Sequence, residues 1–71
     1  MKAQEVVERI ESRGGEFVRQ RGSHMMFQYK SEGVVIAWTT VPDHGSADLG
    51  KGLISKIQRD MVPAFGKGWL R

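Results

Sequence analysis

Near the start of the chain the apolar residues Ala3, Val6, Val7 and Ile10 recur at spacings of three and four, the period of one helix face. Glu5, Glu8, Arg9, Glu11 and Arg13 fill the opposite side, and Gly14-Gly15 supplies a left-handed stop, so the pattern predicts a helix from about Ala3 to Arg13. The period then changes. Glu16 to Arg21 reads as a short strand with Phe17 and Val18 as its strand formers, and Gly22-Ser23 as a turn. His24 to Lys30 alternates, with Met25, Phe27 and Tyr29 on one side and His24, Met26, Gln28 and Lys30 on the other, as a strand with one core face and one open face does. Ser31-Glu32-Gly33 is a hairpin turn. Val34 to Val41 is rich in β-branched residues around Trp38, and Pro42, which cannot donate to a ladder, is expected to end that strand.

A loop dense in Asp, Gly and Ser follows from Pro42 to Gly52. Asp48 is placed to cap a second helix whose apolar positions are Leu53, Ile54, Ile57 and Met61, with Pro63 closing it near Met61. The tail from Val62 to Arg71 carries Phe65, Trp69 and Leu70, which are costly to leave in water. Three fates fit it: folding back over the core, a short third helix, or a landing surface for a partner. The predicted order is helix, strand, strand, strand, helix. Neither helix can bury its stripe alone, so both are expected on one face of a three-stranded antiparallel meander. The expected fold class is thus α+β, a two-layer sandwich with the topology of the double-stranded-RNA-binding domain, spanning residues 1–71 as a single domain.

Length and composition narrow the function. Seventy-one residues exclude a multidomain enzyme, and a chain of this size buries only ~60% of the surface its unfolded form exposes. With no cysteine there is neither a disulfide framework nor a thiolate metal site. No apolar run approaches the ~20 residues of a membrane span, and the charged opening MKAQEVVERI does not read as a signal peptide, so the cytoplasm is the expected compartment. The net charge of +3 permits an anionic partner without requiring one. Its distribution says more: Glu5, Glu8, Glu11 and Glu16 crowd the first sixteen residues, whereas Phe17 to Lys30 holds Arg19, Arg21 and Lys30 with no acid. A locally positive middle suits a nucleic-acid surface, and chance also produces such runs.

Several chemistries find no support. There is no phosphate-binding glycine loop of the required spacing and no HExxH, and His24 and His44 come without the carboxylates that would complete a metal site. No serine is accompanied by a recognisable base and orienter. What remains is one histidine where a turn opens into a strand, preceded by Arg21-Gly22-Ser23.

Three blocks in order, Arg21-Gly22-Ser23-His24 followed by Phe27, then Val41-Pro42-x-His44, then Asp48-Leu49-x-Lys51-Gly52-Leu53-Ile54-x-x-Ile57, resemble the HicA family. The resemblance extends from about Val6 to Met61. HicA proteins are the toxins of HicA–HicB type II toxin–antitoxin systems and act as ribonucleases on mRNA. The resemblance implies His24 as the catalytic position, a HicB-like antitoxin protein and mRNA as partners, and no metal or organic cofactor. Imidazoles titrate near pH 6.5 and can take a proton from a ribose 2′-hydroxyl or give one to a departing 5′-oxygen.

By the same likeness Gly22 would let the backbone approach a phosphate, and Ser23 would bond that phosphate or orient the imidazole. Arg19, Arg21, Lys30 and Lys51 would offset phosphate charge. Each role has a plainer rival: Ser23 as a turn residue, the basic side chains as solvated charges, His44 as a solvated loop residue beside Asp43. Trp38 can stack on a base, but its apolar strand points first to the core or to an antitoxin, and Met26 is a candidate antitoxin contact. The competing function from another class is a non-catalytic RNA-binding module of the same fold. A third is a small adaptor working through its apolar tail.

Overall fold

Side chains leave a strand alternately up and down, and in this protein almost everything buried leaves on one side. The computed structural model describes residues 1–70. The elements are α1 (Ala3–Ser12), β1 (Glu16–Arg21), β2 (His24–Ser31), β3 (Val34–Pro42), α2 (Lys51–Asp60) and α3 (Val62–Phe65). The strands form an antiparallel sheet in the order β1-β2-β3. Phe27, Ala37, Thr39 and Val41 from the inner side of the sheet meet Val6 and Ile10 of α1, Ile57 of α2 and Met61 in one buried cluster. This is the two-layer α+β arrangement expected from the periodicities.

Both hairpins are set by their turn residues. Gly22 adopts φ +58°, and among the described residues the only non-glycine with positive φ is Glu32. Ser23 therefore follows Gly22 with ordinary φ, the signature of a II′ turn, whereas Glu32 (φ 52°) and Gly33 (φ 79°) together make the I′ pattern. One-residue register shifts fall between Phe17 and Arg19 on β1 and opposite Tyr29-Lys30 on β3. The first leaves Phe17 beside Phe27 on the inner side, ring centroids 5.7 Å apart, while Arg19 and Arg21 emerge on the outer side.

Three local expectations are corrected. Asp48 does not cap α2. Gly50 occupies that position without a side-chain bond, because Asp48 is engaged by the N-terminal segment through a β-bridge to Lys2 and ion pairs with the Met1 amino group (3.7 Å) and Lys2 Nζ (3.5 Å). Pro42 is the last residue of β3, paired with His24, and does not lie beyond the strand. Its missing N–H is tolerated because β3 is an edge strand. Trp38 is not core: it stands 53% exposed on the outer side.

The tail does two of the three things open to it. Residues Val62–Phe65 form α3, and Trp69 and Leu70 fold back and are buried. Polar bonds hold them there. Arg9 Nη1 donates to the Leu70 carbonyl (2.8 Å) and Arg13 Nη2 to that of Trp69 (3.2 Å). Trp69 Nε1 donates to the Gln58 carbonyl at 2.7 Å, and Gln58 Oε1 accepts from the Leu70 amide at 3.3 Å. The segment thus ties α1 to α2. Between layers, the buried Thr39 hydroxyl donates to Asp60 Oδ2 (2.9 Å), which also accepts from Lys56 Nζ (2.8 Å). The only buried polar side chain among the described residues is therefore satisfied.

Two substitutions test this account. A Cβ on Gly15 would collide with Ile10 Cγ2 and lie 2.9 Å from the Ile10 carbonyl oxygen, so Gly15→Ala is expected to lower stability by about 1–3 kcal/mol. Glu32→Asn relieves a left-handed residue that is neither glycine nor Asx and is expected to raise stability by about 0.5–1 kcal/mol. Urea midpoints at unchanged m-value check both. A neutral Gly15→Ala or a destabilised Glu32→Asn would contradict the geometry.

Candidate functional site

Because α1, α2 and the tail all lie on the inner side, the outer side of the sheet has no covering layer among the described residues. Cross-strand register turns it into a small grid. Arg21 of β1 pairs with His24 of β2, which pairs with Pro42 of β3. The next row is Arg19, Met26 and Thr40, and the one after it Glu16, Gln28 and Trp38. Directly opposed side chains in antiparallel sheets have Cβ atoms about 4.5–5.5 Å apart, so each row sets its side chains next to one another on the outer side.

Arg19, Arg21, His24, Met26, Trp38 and Thr40 line one hollow of about 230 Å³ on this side. Its rim carries two guanidinium groups and no carboxylate. A larger cavity of about 610 Å³ lies between α1 and the loop after β3. Glu8, Glu11 and Asp43 line it against a single cation, Lys2, so its net charge disfavours a polyanion despite its size.

The turn that presents His24 is held at two points. The Asp43 amide donates to the Ser23 carbonyl at 2.6 Å, joining the β1–β2 turn to the loop after β3. Gln20 Nε2 donates to the Gly22 carbonyl at 3.0 Å. His24 thus leaves the sheet on its outer side from an anchored backbone, with its side chain exposed. Gly22 is required by its φ and not by crowding, since nothing lies within 4 Å of where its Cβ would be. Ser23 is exposed beside it.

The sequence-derived candidates divide accordingly. His24, Arg19 and Arg21 come together in the hollow, and Gly22 and Ser23 adjoin it. Lys30 lies at the far end of β2, paired with Val35, and does not line the hollow. Lys51 is the first residue of α2, in the layer behind the sheet. His44 is exposed in the loop, its carbonyl accepting from the Ala47 amide at 3.2 Å. Thr40 and Trp38 are the lining residues that sequence reasoning missed or placed elsewhere. Both parities of β3 carry large apolar side chains, so alternation alone could not assign its faces. The signal lay in pairing: with Phe27 inward, the hairpin register puts Thr39 inward and Thr40 and Trp38 outward.

No helix among the described residues is long and apolar enough to cross a membrane. Among the same residues no three His, Cys, Asp or Glu side chains gather as a metal site would require. No curated protein and no solved structure matches the chain significantly. A family model does: the one described as HicA toxin of bacterial toxin–antitoxin matches residues 3–61, which includes α1, all three strands, α2 and every residue lining the hollow. The chain belongs to the HicA toxin family of bacterial toxin–antitoxin systems.

Proposed function

We propose that the protein is the toxin of a type II system, an endoribonuclease that cleaves mRNA in the cytoplasm with His24 as its acid–base group. The observation that carries this reading is the exposed imidazole paired across the sheet with Arg21, in a hollow that also holds Arg19 and no acid. In metal-independent RNA cleavage the 2′-hydroxyl loses its proton as its oxygen attacks the neighbouring phosphorus. The bond from phosphorus to the 5′-oxygen breaks, and that oxygen gains a proton. His24 serves one of these two proton transfers, a contribution of typically ~10²–10⁴-fold in rate. Arg19 and Arg21 supply fixed positive charge where the phosphate becomes more negative. Gly22 and Ser23 offer backbone amides and a hydroxyl on the same turn. Lys30 and Lys51, outside the hollow, contribute at most to the general attraction for a polyanion.

Family membership brings an antitoxin partner. We assign it as a HicB-like protein that covers the outer side of the sheet, where half-buried Met26 offers an apolar contact beside the imidazole. Masking that surface removes both the proton-transfer group and the phosphate-binding charge in one step.

Two outcomes are expected. Inducing the wild-type chain in bacteria should arrest growth and fragment mRNA, whereas His24→Ala should do neither, its cleavage rate falling ~10²–10⁴-fold with an unchanged circular dichroism spectrum. Arrest by both chains, or by neither, removes the basis for the nuclease assignment and favours the non-catalytic module. In a His24→Ala background, which keeps the RNA intact, Arg19→Gln and Arg21→Gln should each weaken binding. Each should also flatten the slope of log K against log salt by about 0.7. An unchanged slope would show that these side chains do not meet phosphate.

A further inference from the structure

The two tryptophans of this chain have opposite environments. Trp69 is buried, its indole N–H bonded to the Gln58 carbonyl and its ring edge-on to Phe65 with centroids 5.0 Å apart. Trp38 is 53% exposed. Among the described residues its indole N–H has no hydrogen-bond partner and its ring no aromatic neighbour. It packs nothing into the core, which lies on the other side of the sheet. Yet it lines the same hollow as His24, Arg19 and Arg21.

A flat apolar ring beside two guanidinium groups selects a ligand that is flat and anionic at once, which describes a nucleotide better than a peptide segment. Aromatic side chains on open sheet faces stack on nucleobases whose own faces are free. In an A-form duplex those faces are already stacked on one another, and only edges and backbone are offered. We propose that Trp38 is the platform for one unpaired nucleobase, so that the outer side of the sheet takes single-stranded RNA. This rests on the reading of that side as an RNA site and adds to it the strandedness of the substrate.

The register also gives the location. Trp38 is paired with Gln28, four residues along β2 from His24, or about 13 Å of strand. The stacked base therefore belongs to a nucleotide neighbouring the cleaved bond and not to the bond itself. Met26 and Thr40 line the path between the two, while Arg19 and Arg21 flank the imidazole end on β1.

The test uses the full chain carrying His24→Ala, so that RNA survives. A labelled single-stranded oligoribonucleotide, and the duplex it forms with its complement, are titrated against this parent and against versions that also carry Trp38→Phe or Trp38→Ala. Trp38→Ala is expected to lose about 5- to 150-fold in affinity for the single strand, the worth of one stacked base, with little change for the duplex. Trp38→Phe keeps a ring and should retain most of the binding. Single-stranded RNA should quench the exposed tryptophan's emission in the parent and not in Trp38→Phe, where only buried Trp69 emits. An abasic site walked along the oligonucleotide should find one position at which the parent and Trp38→Ala bind alike. Equal single-strand affinities for the parent and Trp38→Ala would overturn the proposal. So would an equal loss on the duplex, or weakened antitoxin binding with RNA binding intact, which would assign the indole to a protein interface. Cleavage is scored separately with the His24 pair in an otherwise native chain. If wild type and His24→Ala do not differ there, the nuclease reading falls while the affinity comparison still decides on Trp38.

Discussion

A three-stranded sheet buries one of its faces when two helices and a tail are all that can cover it, and every other property of this protein follows from which face that is. Phe27, Thr39 and Val41 leave the strands inward, so by alternation His24, Met26, Thr40 and Trp38 must leave outward. A slip of one residue in the β2–β3 register would exchange the two sets, burying an imidazole and exposing a phenyl ring. The Thr39–Asp60 bond works against such a slip, because it ties one inward position of β3 to one residue of α2.

The turn at Gly22-Ser23 converts that constraint into a presented group. The reversal needs positive φ at its first position, which Gly22 supplies, and the next residue but one begins β2 already facing outward. The Asp43 amide on the Ser23 carbonyl anchors the turn to the loop beyond β3, so that His24 is held from both neighbouring strands. The bulge after Phe17 does the same for charge: one extra residue puts Phe17 inward and both arginines outward on a short edge strand.

Much of this was legible in the residues, and the exceptions have physical causes. Strand β2 alternates cleanly because its outer face is polar apart from Met26, so its two sides could be read directly, and Glu16–Arg21 was bounded by glycines on both ends. The imidazole and its Arg-Gly-Ser approach were legible because few other groups in the chain could do chemistry. The existence of β3 was legible but its two faces were not, because Ile36, Trp38 and Val41 place large apolar groups on both parities, and a bulge at its start shifts the phase. Asp48 looked like a cap because caps are local, whereas what claimed it was a contact with Lys2, forty-six residues away in sequence. The tail's route depended on Arg9, Arg13 and Gln58, all distant along the chain, and no local pattern encodes such partners.

That clasp has a practical corollary. Met1 lies against the core beside α1, its carbonyl accepting from the Leu49 amide, and Leu70 is pinned to the same helix by Arg9. Both extremities of the described polypeptide therefore emerge behind the sheet. A fluorophore, affinity handle or surface tether attached at either one would leave the bare side unobstructed, and immobilised protein would display its imidazole towards the liquid.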